Sequence, residues 1–180
     1  MANFKIAYDK TADFEGGYVN DPDDNGGETY KGIARNFWEK WQGWVIVDKY
    51  KQVAHNRAEL GKILDGNAEL QSFVEAFYKK NFWDEVRGDD ITDQEVANNI
   101  YDFAVNSGVG RASRYAQRVV GAVEDGDIGN NSIKAINAYD AEMFVHAFKK
   151  AREGFYRKIV DNNPSQAKFL YGWLSRNANA

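Results

Sequence analysis

Between Tyr18 and Ile33 the chain gives up helical periodicity: Asn, Asp, Pro and Gly cluster there with few apolar residues between them. Such a stretch makes turns, while helical patterns lie on both sides of it. The sequence therefore reads as mainly α (α+β), a helical bundle with one small β-hairpin lobe near residues 17–33. Upstream, a first helix is predicted over residues 3–15, because Phe4, Ala7, Tyr8, Thr11, Ala12 and Glu15 share one face at 3.6-residue spacing. Gly16 and Gly17 then stop it. Downstream, helices are predicted from Ala34 to Trp41, Arg57 to Leu64 and Ala68 to Lys80. Thr92 and Glu95 have the spacing of a capping box ahead of a helix whose inner face carries Val96, Ile100 and Phe103. Further helices are predicted from Arg111 to Val120, Ser132 to Asn137, Ala141 to Val160 and Ser165 to Leu174.

Composition removes several classes of function. With 23 Lys+Arg against 27 Asp+Glu the net charge is −4 and no basic stretch stands out, so no nucleic-acid partner is expected. No cysteine is present, which excludes thiol catalysis and disulfides. The two histidines, His55 and His146, stand outside any ligand-spaced cluster and read as surface or packing residues, so neither a metal nor a cofactor is expected. No run approaches the roughly 20 apolar residues that span a bilayer, so stable membrane insertion is not expected. The segment from Met1 to Gly17 lacks the apolar run of a signal peptide, and the expectation is synthesis in the cytoplasm without one.

Glu15 falls on the apolar face of the first helix, whereas Asp13 points about 180° away. Burial and the negative end of the helix dipole both raise a carboxyl pKa, which suits a proton donor near neutral pH. An ordinary helix-end acid paired with Lys or Arg would give the same pattern. Cleaving a glycosidic bond uses a second acidic group as well, and Asp21, Asp23 and Asp24 follow within the turn-rich stretch. Asp24 also fits a turn residue that bonds only its local backbone. Asp21, Asp23, Asn25 and Gly26 reproduce the opening of a calcium loop, but the position of its closing Glu is Gly32.

The run Phe14-Glu15-Gly16-Gly17-Tyr18-Val19-Asn20-Asp21-Pro22, followed by Asp24-Asn25-Gly26-Gly27-Glu28-Thr29-Tyr30-Lys31-Gly32-Ile33, closely resembles glycoside hydrolase family 108, the N-acetylmuramidases of phage endolysins and related bacterial proteins. The resemblance implies a lysozyme-like fold and makes Glu15 the catalytic acid. The spacing is also similar to that of phage-type lysozymes, with Asp24 in the Asp place and Gly32 in the Gly place. The Thr place falls on Tyr30, and a shift of one residue makes Thr29 the equivalent. Tyr18, Asn20 and Tyr30 become candidate saccharide contacts, although both tyrosines equally suit packing.

From Asn98 the chain reads Asn-Asn-Ile-Tyr-Asp-Phe-Ala-Val-Asn-Ser-Gly-Val-Gly-Arg, continues through Tyr115-Ala116-Gln117-Arg118 and reaches Asp125-Gly126-Asp127-Ile128-Gly129. This resembles the predicted peptidoglycan-binding region that follows the family 108 segment. It implies residues 1–90 as the muramidase region and 91–176 as a helical peptidoglycan-binding region packed with it into one lysozyme-like unit. Asn99, Tyr101, Asn106 and Gln117 are further candidate substrate contacts. Asn99 shares the apolar face of its helix, so its amide is either buried and satisfied or lines a groove.

The expected activity is hydrolysis of the bond between N-acetylmuramic acid and N-acetylglucosamine by carboxylate general-acid catalysis, with Glu15, Asp24 and Thr29 as the catalytic set. The alternatives are a lytic transglycosylase acting on the same bond, or a catalytically silent peptidoglycan-binding or secretion-associated module. The expected partner is the peptidoglycan glycan strand at the cell wall or in the periplasm. The endolysin resemblance adds a prophage setting, with export through a holin pore or a secretion system.

Overall fold

The computed structural model describes residues 1–12, 17–20 and 26–180. Glu15 and Asp24 lie outside the described residues. The described chain divides into two compact units, one formed by Met1–Thr11 with Lys79–Ala180 and the other by Ala12–Tyr78.

The smaller unit carries the predicted hairpin, extended to a three-stranded antiparallel sheet. Its strands are β1 (Tyr18–Asn20), β2 (Glu28–Tyr30) and β3 (Ile33–Ala34). Register pairs Tyr18 with Tyr30, Val19 with Thr29 and Asn20 with Glu28, and then Tyr30 with Ile33 across the second turn. That turn is the two-residue Lys31-Gly32, and both residues take positive φ, 43° and 75°. This is the twist a tight hairpin requires, and glycine adopts it without a Cβ penalty. The Tyr78 hydroxyl donates to the Lys31 carbonyl at 2.7 Å and fixes the non-glycine half of the turn.

The helix predicted from Ala34 to Trp41 does not form. Ala34 pairs with Thr29, the Arg35 N–H donates to the Glu28 carbonyl at 2.8 Å, and the chain then makes turns. Helix α2 (Gly43–Lys51) begins only after Trp41. The three-residue spacing of Trp38, Trp41 and Trp44 looks helical, but the sheet claims the first residues of the segment. Helices α3 (Arg57–Asp65) and α4 (Ala68–Tyr78) follow close to expectation, and a single π-helical turn, Lys79–Trp83, succeeds α4. Ile33, Val47, Leu64, Leu70 and Val74 form the core of this unit.

In the larger unit, α1 (Phe4–Ala12) buries Phe4, Ala7 and Thr11, the face that its periodicity marks. Helix α5 (Gln94–Ser107) is capped by Asp93, whose carboxylate accepts the Val96 N–H at 3.0 Å. The cap therefore sits one residue beyond the Thr92 predicted for it. Thr92 instead bonds the Asn137 side-chain oxygen through both its N–H and its hydroxyl, at 2.9 and 3.3 Å. Helices α6 (Val109–Val120), α7 (Asn130–Ala138), α8 (Ala141–Asn162) and α9 (Ala167–Asn179) complete the unit. Mostly edge-to-face rings fill it: Tyr101 meets Phe4 and Trp83 edge-on while those two are tilted against each other, and Phe103 meets Phe148 and Tyr156 in a second cluster.

A charged network lies inside this aromatic core. Asp102 accepts from Arg152 at 2.5 Å and from Arg176 at 2.9 Å, and Thr11 donates to it at 3.4 Å. The Arg152 side chain is fully buried and that of Asp102 is 2% exposed. Arg152 also donates to the Tyr156 hydroxyl at 2.8 Å, which donates to Asn106 at 2.6 Å. Burial first of all holds the Tyr156 hydroxyl above the ordinary tyrosine range, so it remains a donor.

Candidate active site

The described part of the motif is its sheet. Tyr18 and Tyr30, paired across β1 and β2, are both buried. The Tyr30 hydroxyl donates to Asp65 at 3.1 Å and accepts from Gln71 at 2.9 Å, which ties β2 to α3 and α4. Thr29 alternates to the other face, where it is half-buried, and its hydroxyl donates to the Gly27 carbonyl at 3.2 Å. Asn20 is exposed at the end of β1. Of the candidate residues in this unit, Asn20 and Thr29 thus retain access to solvent, whereas Tyr30 is built into the core.

Glu28 is a residue that the sequence reading passed over. Its side chain is only 10% exposed, yet it is a carboxylate on the Tyr30 face of β2. One oxygen accepts from the Tyr18 hydroxyl at 2.7 Å and from Lys51 at 2.6 Å, and the other lies 2.7 Å from Arg35 Nε. Arg35 in turn grips Asp48 with both terminal nitrogens, at 3.0 and 2.7 Å. These hydrogen bonds hold the Asp48 carboxyl below its usual range. Burial, then Glu28, push the Tyr18 hydroxyl well above the ordinary tyrosine value, so it serves as a donor. With both oxygens engaged, Glu28 braces the sheet. Glu28→Gln is expected to cost about 1–2 kcal/mol, since Arg35 and Lys51 are partly solvated and lose only part of their stabilisation. A lowered urea midpoint with an unchanged denaturant slope would show it.

The remaining candidates belong to the larger unit. Asn99 is fully buried, and its amide donates to the Glu95 carbonyl at 2.9 Å and to the Ala180 carbonyl at 3.4 Å. Tyr101 is fully buried in the Phe4 and Trp83 cluster. Asn106 accepts from Tyr156 and from Ser107. Gln117 is also fully buried: it donates to Asp125 at 2.6 Å, to the Asp127 carbonyl at 2.9 Å and to Ser132 at 3.1 Å, and accepts the Gly126 N–H at 3.0 Å. Its amide organises the Asp125–Gly129 loop. Asn99, Asn106 and Gln117 thus engage their amide groups with partners inside the helical unit.

The model of the family described as Glycosyl hydrolase 108 matches residues 8–108. The chain belongs to this family. The matched span exceeds half of the 180 residues and contains Glu15, Asp24 and the whole sheet. A second model, described as Predicted Peptidoglycan domain, matches residues 111–178. Among twelve solved chains that match is one titled "Structure of Brucella abortus SagA". It is 27% identical over 97% of this chain and 89% of its own length, with a TM-score of 0.66. No curated protein sequence matches.

The mainly α, lysozyme-like architecture with its small sheet is therefore the expected one, and the likeness runs along nearly the whole chain. A glycosyl hydrolase 108 region followed by a peptidoglycan region makes this protein a peptidoglycan hydrolase of the glycoside hydrolase class. Among the described residues no helix is long and apolar enough to cross a membrane.

Proposed function

We propose that this glycosyl hydrolase 108 protein is an N-acetylmuramidase, cleaving between N-acetylmuramic acid and N-acetylglucosamine with Glu15 as proton donor. The family match across Glu15-Gly16-Gly17-Tyr18 carries the reading. In this reading Glu15 protonates the leaving glycosidic oxygen, and Asp24 either directs water or stabilises the oxocarbenium-like sugar. Thr29 assists Asp24 from β2, where its hydroxyl is already oriented by Gly27. Asn20, exposed at the end of β1, bonds a sugar hydroxyl, while Tyr18 shapes the strand beneath it. The endolysin resemblance extends the proposal to release through a holin pore or a secretion system.

Borohydride reduction of digested sacculi tests the bond assignment. Reduced muramic acid at the new ends is the expected product. Reduced glucosamine ends would overturn it, because the enzyme would then cut on the other side of each sugar.

A further inference from the structure

Two aromatic side chains of the smaller unit stand out from its surface. Phe37 is 70% exposed and Trp38 is 40% exposed, although aromatic rings of this size are ordinarily well covered. They lie in the turn segment that follows β3, so the sheet that holds Thr29 leads directly into them.

The segment is rigidly held. The Phe37 and Trp38 N–H groups both donate to the Ala34 carbonyl, at 3.1 and 3.0 Å. The Trp44 indole donates to the Trp38 carbonyl at 2.9 Å, and the Trp41 indole reaches the Phe73 carbonyl at 3.4 Å. Trp38 rests edge-on against Phe77 with centroids 4.8 Å apart, and Trp41 meets Trp44 in the same way at 5.1 Å. Gly43 lies directly under Trp41, where a Cβ would approach the ring to 2.3 Å. Arg35, the partner of Glu28, covers Trp44 from 4.4 Å. Trp44 and Phe77 thus hold Trp38, and the backbone that carries Phe37 is pinned beside it, which lowers the entropic cost of presenting the two rings.

The setting selects the occupant. Glu39, Lys40 and Gln42, which follow the two rings in sequence, are exposed and offer both donors and acceptors. A pyranose ring needs this combination, since its C–H face packs on an aromatic plane while its rim hydroxyls bond polar neighbours. Glu39 and Lys40 cancel in charge, so the patch lacks the cationic rim that draws an amphipathic surface to anionic lipid. Two side chains also fall far short of the roughly 800 Å² that each partner of a stable protein interface contributes.

We infer that Phe37 and Trp38 form an accessory subsite that stacks on sugar rings of the peptidoglycan glycan strand. The inference rests on that glycan being the substrate, as proposed above. Its role is to hold the strand and not to take part in bond cleavage.

The test uses the full chain carrying Glu15→Gln, so that binding is read without turnover, and peptide-free glycan strands prepared from sacculi with an amidase. Phe37→Ser, at an exposed position, keeps the fold and is expected to weaken strand binding about threefold; adding Trp38→Ala is expected to bring the loss to about tenfold. In the chain with Glu15 intact, KM for long strands should rise by a similar factor with kcat unchanged. Unchanged strand affinity in both variants, with thermal unfolding showing Phe37→Ser to be native, would overturn the subsite. So would a loss confined to phosphatidylglycerol vesicles. Strand affinity is read independently of lysis, so failure of the subsite and failure of the muramidase assignment give different results.

Discussion

Glu15→Gln is expected to lower the rate of sacculus lysis by about a thousandfold, within the 10²–10⁴ range that a positioned proton donor contributes. Glutamine keeps the size and hydrogen-bonding reach of the side chain and removes only the transferable proton. The loss should therefore fall on kcat, with KM and the thermal midpoint close to wild type. A helix-end Glu that merely paired with a cation would behave in the opposite way, with stability changing and lysis persisting. The turbidity of purified sacculi, followed beside an unfolding curve, separates the two. Lysis by the variant at the wild-type rate would remove Glu15 from the mechanism.

The largest expected effect on stability lies in the other unit. Asp102 is the carboxylate shared by Arg152 and Arg176, whose side chains are 0% and 11% exposed. Asp102→Asn strands two cations in the aromatic core, and breaking a buried pair by deleting one partner costs about 3–5 kcal/mol. For a chain of this size that lowers the melting temperature by roughly 10 °C. The cost comes from the cations left behind, so a second change should offset it. Asp102→Leu combined with Arg152→Met is expected to recover a large part of the loss, because the fully buried guanidinium leaves together with its counter-ion. Thermal unfolding of the two variants beside the wild type decides this: a double variant no more stable than Asp102→Asn would show that the network contributes by more than charge balance.

How far the sequence reveals the fold depends on which interaction sets each element. Phe4, Ala7 and Thr11 are legible as one face because a surface helix must bury its apolar stripe, and α1 does so. The hairpin is legible because the Asn, Asp, Pro and Gly clustered between Tyr18 and Ile33 favour turns over helix, although the Lys31-Gly32 turn itself emerges only in the structure. The segment after it is not legible, since its three tryptophans at helical spacing are overridden by long-range pairing of Ala34 with Thr29. The α5 cap misleads for a related reason: Thr92 and Asp93 are both competent caps, and Asn137, which is distant in sequence, takes the threonine.

The site shows the same division. Asn99 and Gln117 present amides among apolar neighbours, a pattern shared by a groove and by a core, and only their partners resolve it. Gln117 meets four groups from the Asp125–Gly129 loop and the start of α7. Glu28 left a signal that strand alternation exposes: it shares the inward face of β2 with Tyr30, and a carboxylate there must find donors. Those donors, Tyr18, Arg35 and Lys51, come from β1, from just after β3 and from α2, the helix that the periodicity missed.

Digestion of sacculi in water enriched in oxygen-18 tests the central claim most directly. A muramidase that hydrolyses with Glu15 as acid incorporates one heavy oxygen at the new muramic acid end for each bond cut, and mass spectrometry of the released fragments should show that label. Products that end in unlabelled anhydromuramic acid would contradict the account, because cleavage would then proceed without water.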